Sequence, residues 1–117
     1  MEKRHVLEAL AALAQDNRLD VFRLLVEAGP EGMPAGSVAR ALKLAPNTLT
    51  FHFDRLRDAG LVTVRRDGRS MIYAAQFDQM NALIGYLTEN CCQGRAEECA
   101  PAACATTVQP ARKKERV

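Results

Sequence analysis

Cys91, Cys92, Cys99 and Cys104 supply every thiol in this 117-residue chain, and all four fall within one stretch, NCCQGRAEECAPAAC. Disulfide-stapled domains spread their cysteines, because a bridge stabilises most when it closes a long loop. Thiols gathered this tightly point instead to metal binding or redox chemistry, in a compartment that keeps them reduced. The opening MEKRHVLEAL mixes charges with apolar residues where a secretory signal would carry an unbroken apolar block. No apolar run approaches the roughly eighteen residues that a membrane span needs. A cytoplasmic location with no membrane partner is therefore expected.

A second group of chemically active residues lies upstream. Arg65, Arg66 and Arg69 crowd around Asp67-Gly68 in RRDGRS, and Asp-Gly between two β-branched, alternating runs is a strong hairpin signal. Three arginines at one exposed turn repel one another unless an anion lies opposite, and a phosphate backbone supplies that anion. The net charge of +2 is too small to argue for nucleic acid alone. Residues 1–90 balance eleven Lys plus Arg against eleven Asp plus Glu, so any basic surface has to be local.

These groups are positioned by a run of amphipathic segments that fits one compact domain. KRHVLEALAALAQ places Val6, Leu7, Leu10, Leu13 and Ala14 at helical spacing. Asp16 stands where an N-cap belongs, and NRLDVFRLLVEAG puts Leu19, Phe22, Leu25 and Val26 on one face before Gly29 and Pro30. After the connector PEGMPAG comes a short helix, SVARALKL, with Val38, Ala39 and Leu42 inward. A longer helix, APNTLTFHFDRLRDAG, follows and is closed by Gly60. The hairpin LVTVRRDGRSMIYAA comes next. The last helix, QFDQMNALIGYLTEN, has Phe77, Met80, Leu83, Ile84 and Leu87 as its stripe. The expected fold is mainly α with a small β-hairpin, a winged helix-turn-helix over residues 1–92, with 93–117 as a flexible tail.

On the longer helix, Leu49, Phe53 and Leu56 fall at i, i+4 and i+7 and face the core. The other face then presents Asn47, Thr48, Phe51 and Arg55, with Thr50 and His52 at its flanks. Short polar groups near a helix N-terminus reach phosphates and base edges in the major groove, and Phe51 suits a thymine methyl. His52 is assigned to DNA or to helix packing, since no second ligand lies at i±4 to make it a metal site. The alternative for the arginines is a solvated hairpin with incidental charge. The helix-turn-helix before it favours the DNA reading.

The segments LAALAQDNRLDVFRLLV, NTLTFHFDRLRDAGLV and RRDGRSMIYA resemble the helix pair, recognition helix and wing of the ArsR/SmtB family of metal-responsive repressors. The resemblance covers nearly the whole chain to Glu89. It implies a homodimer whose first and last helices, residues 6–14 and 77–87, pack across a two-fold axis. It also implies a repressor bound to a palindromic operator, with the two reading helices about one DNA turn apart. The C-x-C motif of many arsenic-sensing relatives is missing, since GMPAGSVARAL has no cysteine. The His and Asp pattern of the zinc-sensing relatives is also missing. LTENCCQGRAEEC resembles instead the arsenic sensors with a vicinal pair and a third cysteine beyond the last helix.

Thiolates select soft ions and the thiophilic As(III) and Sb(III). A trivalent metalloid takes three sulfurs in a pyramid, so Cys91, Cys92 and Cys99 are the expected ligands, with Cys104 as spare or alternate third. Zn(II) or Cd(II), or a thiol-redox switch, are the competing inducers. The CC-x6-C-x4-C spacing lacks the usual zinc knuckle geometry. Binding of As(III) or Sb(III) is expected to release the operator. An enzyme is not expected: a C-x-x-C beside a βαβ unit, an acid-base pair and a phosphate-binding glycine loop are all missing from the sequence.

Overall fold

A computed structural model describes residues 1–94 of the chain; Cys99, Cys104 and the expected tail beyond residue 94 lie outside the described residues. The elements are α1 (Lys3–Leu13), α2 (Asp16–Ala28), β1 (Met33–Pro34), α3 (Ala35–Leu42), α4 (Pro46–Asp58), β2 (Val62–Asp67), β3 (Ser70–Ala75) and α5 (Phe77–Leu87), followed by a 3-10 turn over Cys91–Gly94. This is the winged helix-turn-helix expected from the sequence, with a third strand added. β1 pairs antiparallel with β3 through Met33↔Tyr73 and Pro34↔Ile72, giving the sheet order β1-β3-β2.

Each boundary has a local cause. The N-cap of α2 is Gln15 rather than Asp16, because the Gln15 side chain accepts a hydrogen bond from the Arg18 backbone N–H at 2.8 Å. Helix α4 starts on Pro46, whose missing N–H costs nothing in a first turn. It ends in a Schellman arrangement. Gly60, at φ +78°, donates to the Arg57 carbonyl at 2.9 Å, and Leu61 donates to Leu56 at 2.9 Å. Gly32 is a second position that requires glycine. At φ +75° it lies so close to the Tyr73 carbonyl that a Cβ would collide with β3 backbone.

The core gathers Val21, Phe22, Leu25, Val38, Leu49, Phe53, Leu56 and Leu61. As their spacing requires, Leu49, Phe53 and Leu56 all point inward. Phe53 stacks on Tyr73 of β3, with ring centroids 3.6 Å apart and planes 6° off parallel. The recognition helix is thereby fixed to the wing.

Helices α1 and α5 are less simple. In α1 the buried residues are Val6, Ala9 and Ala12, while Leu7 is 56% and Leu10 39% exposed. Leu19 of α2, expected inside, is also exposed. In α5, Leu83 is buried and Phe77 and Met80 are partly so, but Ile84, Tyr86 and Leu87 face outward. The apolar stripes read from the sequence are thus divided, one part in the core and one part on the surface.

Candidate nucleic-acid interface and cysteine turn

The face of α4 opposite Leu49, Phe53 and Leu56 carries Asn47, Thr48, Thr50, Phe51 and Arg55, all exposed. Thr50 donates its hydroxyl to the Pro46 carbonyl at 3.0 Å, a bond within the helix that tethers the side chain. Two cations lie near Phe51: the Arg55 guanidinium carbon is 5.1 Å from its ring centroid and that of Arg18, from α2, is 6.0 Å away. These contacts orient an exposed apolar ring that would otherwise rotate freely. Arg18 is fixed in turn, its Nε donating to the Ala12 carbonyl at 2.7 Å. No sequence pattern marks Arg18 for this face, because it sits on a different helix, at the corner between α1 and α2.

The wing brings Arg65, Arg66 and Arg69 to one exposed tip. Since Asp67 pairs with Ser70, the two turn residues are Gly68 and Arg69, one position later than the Asp-Gly reading. Arg69 therefore stands in the turn itself. Arg66 donates to the Gly68 carbonyl at 3.4 Å. Among the described residues the guanidinium–carboxylate contact within 4.0 Å is the exposed Arg57–Asp54 pair of α4, so the wing arginines carry no such partner. Their charge is available to phosphate.

Of the two assignments open for His52, DNA or helix packing, its burial favours packing and takes it out of the DNA-facing set. Its side chain is only 4% exposed and lies edge-on to Phe51 at 5.7 Å between ring centroids. Its place at the flank of the helix allowed either direction, and packing decided for the inside. Neither ring nitrogen has a hydrogen-bond partner among the described residues. Burial, and secondarily the Arg18 guanidinium, push its pKa below the ordinary 6.5 and hold the ring neutral.

Of the four cysteines, Cys91 and Cys92 fall among the described residues, both half-buried in the 3-10 turn that follows α5. Two residues of this stretch have positive φ, Asn90 at 60° and Cys92 at 55°. Asparagine adopts this conformation readily. Cysteine does so at a cost of about 1 kcal/mol, the kind of strain that collects at functional turns. No three His, Cys, Asp or Glu side chains among the described residues are placed to hold a metal ion. A three-thiolate site on Cys91 and Cys92 must draw its third donor from outside them.

Comparison with known proteins agrees with this geometry. Residues 13–65 match the helix-turn-helix domain model. The chain is 30% identical over 83 residues to the HTH-type transcriptional regulator YgaV of Escherichia coli, a match covering 71% of this chain and 82% of that one. It is 31% identical over 80 residues to the nodulation protein NolR of Rhizobium meliloti, covering 68% of this chain and 63% of NolR's length. Among solved structures, HlyU of Vibrio cholerae superposes with a TM-score of 0.62 at 27% identity, over 80% of this chain and all of that one. A homodimeric winged helix-turn-helix DNA-binding domain from Mycobacterium bovis, described as possibly of the ArsR family, shares the fold at 23% identity. Its TM-score is 0.60, over 79% of this chain and 85% of that one.

Proposed function

The chain belongs to the DNA-binding winged-helix transcriptional regulators of the ArsR, HlyU and NolR type, and from that premise we propose a homodimeric repressor of a palindromic operator, released by trivalent arsenic or antimony. The observation that carries this reading is the vicinal pair Cys91-Cys92, set in a strained turn directly after α5.

Helix α5 links the metalloid to the DNA. Its outward residues Ile84, Tyr86 and Leu87, with Leu7 and Leu10 of α1, form exposed apolar surface on two helices that pack together within the protomer. Surface of this kind marks an interaction site, and a second copy of the same helices is its natural cover. The homodimeric neighbour from Mycobacterium bovis supports that choice. With the dimer formed, Asn47, Thr48, Thr50, Phe51 and Arg55 of each α4 read the major groove. Arg65, Arg66 and Arg69 of each wing clamp the flanking phosphates.

As(III) or Sb(III) enters as the inducer, exchanging its oxygen or hydroxide ligands for the thiolates of Cys91, Cys92 and Cys99, with Cys104 as the alternate third. Closing that site reshapes the turn beyond α5, shifts α5 at the dimer interface and changes the spacing of the two DNA heads. A hundredfold loss of operator affinity requires a coupling of about 2.7 kcal/mol, and DNA weakens metalloid binding by the same factor. The test is anisotropy on a palindromic duplex selected from a random library, with the reduced full chain and added arsenite. Loss of affinity on arsenite is expected. Unchanged affinity refutes the metalloid inducer, and failure to select any duplex refutes the DNA reading.

A further inference from the structure

Phe51 is the one large apolar side chain on the outward face of α4, and it is 50% exposed. The core side chains of this helix are Leu49, Phe53 and Leu56, so Phe51 stays half in water. Aromatic surface left in water gains free energy when an apolar group covers it. Resting on the DNA-binding reading of α4, we propose that Phe51 reads the C5-methyl group of a pyrimidine. Each operator half-site then carries a 5-methylated base, thymine or 5-methylcytosine, at the position the ring faces.

The chemistry of the duplex decides the partner. Base edges in the major groove show hydrogen-bond donors and acceptors, and the C5-methyl is the one apolar substituent among them. Uracil and unmethylated cytosine have only a hydrogen at that place. On a helix, residues i and i+4 follow one another along a ridge about 6 Å apart, so Asn47, Phe51 and Arg55 form one row with the ring at its centre. All three are exposed. The row is about 12 Å long and spans about three to four base pairs, which puts the methylated base inside the half-site rather than at its rim. A protein partner is a poorer cover for the ring, because its exposed neighbours Asn47, Thr48, Thr50 and Arg55 are polar, unlike the strip of Leu7, Leu10, Ile84 and Leu87. Since the methyl group is what is read, methylation of a cytosine at this position raises operator affinity. The operator thereby gains a second input besides the inducer.

The test uses the reduced full chain and a palindromic duplex selected from a random library. Each thymine of the half-site is replaced in turn, in both half-sites, by deoxyuridine, which removes the methyl group and nothing else. At one position the affinity measured by anisotropy should fall about fifteenfold, from about fourfold per methyl group. With cytosine in place of that thymine, 5-methylcytosine should bind more tightly than cytosine by a similar factor. In Phe51→Ala, a change at a half-exposed residue whose fold circular dichroism confirms, both methyl effects should vanish, so that protein and DNA substitutions close a double-mutant cycle. A half-site without thymine, indifference to deoxyuridine at every position, equal binding of cytosine and 5-methylcytosine, or the same methyl effects in Phe51→Ala overturns the proposal while leaving the DNA reading of α4 in place. Failure to select any duplex removes that reading and the methyl contact with it.

Discussion

Helices α4 and α5 are both one-sided, and the chemistry of their outward sides is opposite. α4 buries Leu49, Phe53 and Leu56 and shows Asn47, Thr48, Thr50 and Arg55 to solvent, with Phe51 as the one large apolar side chain among them. α5 buries Leu83 and shows Ile84, Tyr86 and Leu87. An outward face that is polar and cationic at its edge is content in water and gains from a polyanion, whereas an apolar outward face gains only when another apolar surface covers it. One face thus suits nucleic acid and the other suits protein. The turn with Cys91 and Cys92 follows the second, so under the proposed function a signal received there would act on subunit packing before it acts on DNA.

The largest effect expected is at the apolar face. Leu7→Glu combined with Leu87→Glu places charge on the proposed interface, and sedimentation should show a monomer. Operator affinity should fall by about two to four orders of magnitude, because two half-sites are no longer engaged together. A dimer that survives this variant would remove the contrast between the two helices. Replacing Arg65, Arg66 and Arg69 together by alanine is next. With these phosphate partners removed from both wings of the dimer, the slope of log affinity against log salt should flatten by about 5. Affinity should drop similarly for operator and random DNA, since phosphate contacts position the protein without reading sequence. Cys91→Ser should leave operator affinity unchanged without arsenite and abolish the roughly hundredfold response to it.

The smallest effect concerns His52, which belongs to neither face. Its pKa is lower in the folded protein than in the unfolded chain, so below about 6.5 the unfolded state binds the additional proton. Stability is therefore full above that pH and declines as pH falls toward the folded value. Urea midpoints taken at pH 7.5 and 5.5 (~one unit either side of the ordinary value) should differ more in the unsubstituted protein than in His52→Phe.

The α4 core is legible in the sequence because its large apolar residues recur at helical spacing and nothing else competes for them. The hairpin is legible through Asp67-Gly68, though strand pairing moved the turn by one residue and put Arg69 at the tip. β1 could not be read: two residues carry no periodicity, and Met33 and Pro34 become a strand because β3 lies beside them with Gly32 allowing the close approach. In α1, size misled. Ala9 and Ala12 lie inward where α2 and α4 pack against α1, while the larger Leu7 and Leu10 are on the surface. A stripe read on a single chain does not distinguish residues bound for the core from residues bound for another subunit. His52 illustrates the same limit at the reading helix, where a flank position can turn either way until neighbouring helices are in place.

The stacked rings of Phe53 and Tyr73 have a mechanical consequence. With α4 pinned to the middle strand of the sheet, the proposed major-groove probe and the proposed phosphate clamp are joined through stacked rings. In the proposed repressor an inducer would not loosen one without the other. Release of DNA would then work like a change in the gap between the jaws of a caliper, in which each jaw keeps its shape and only the span between them no longer fits the measured object.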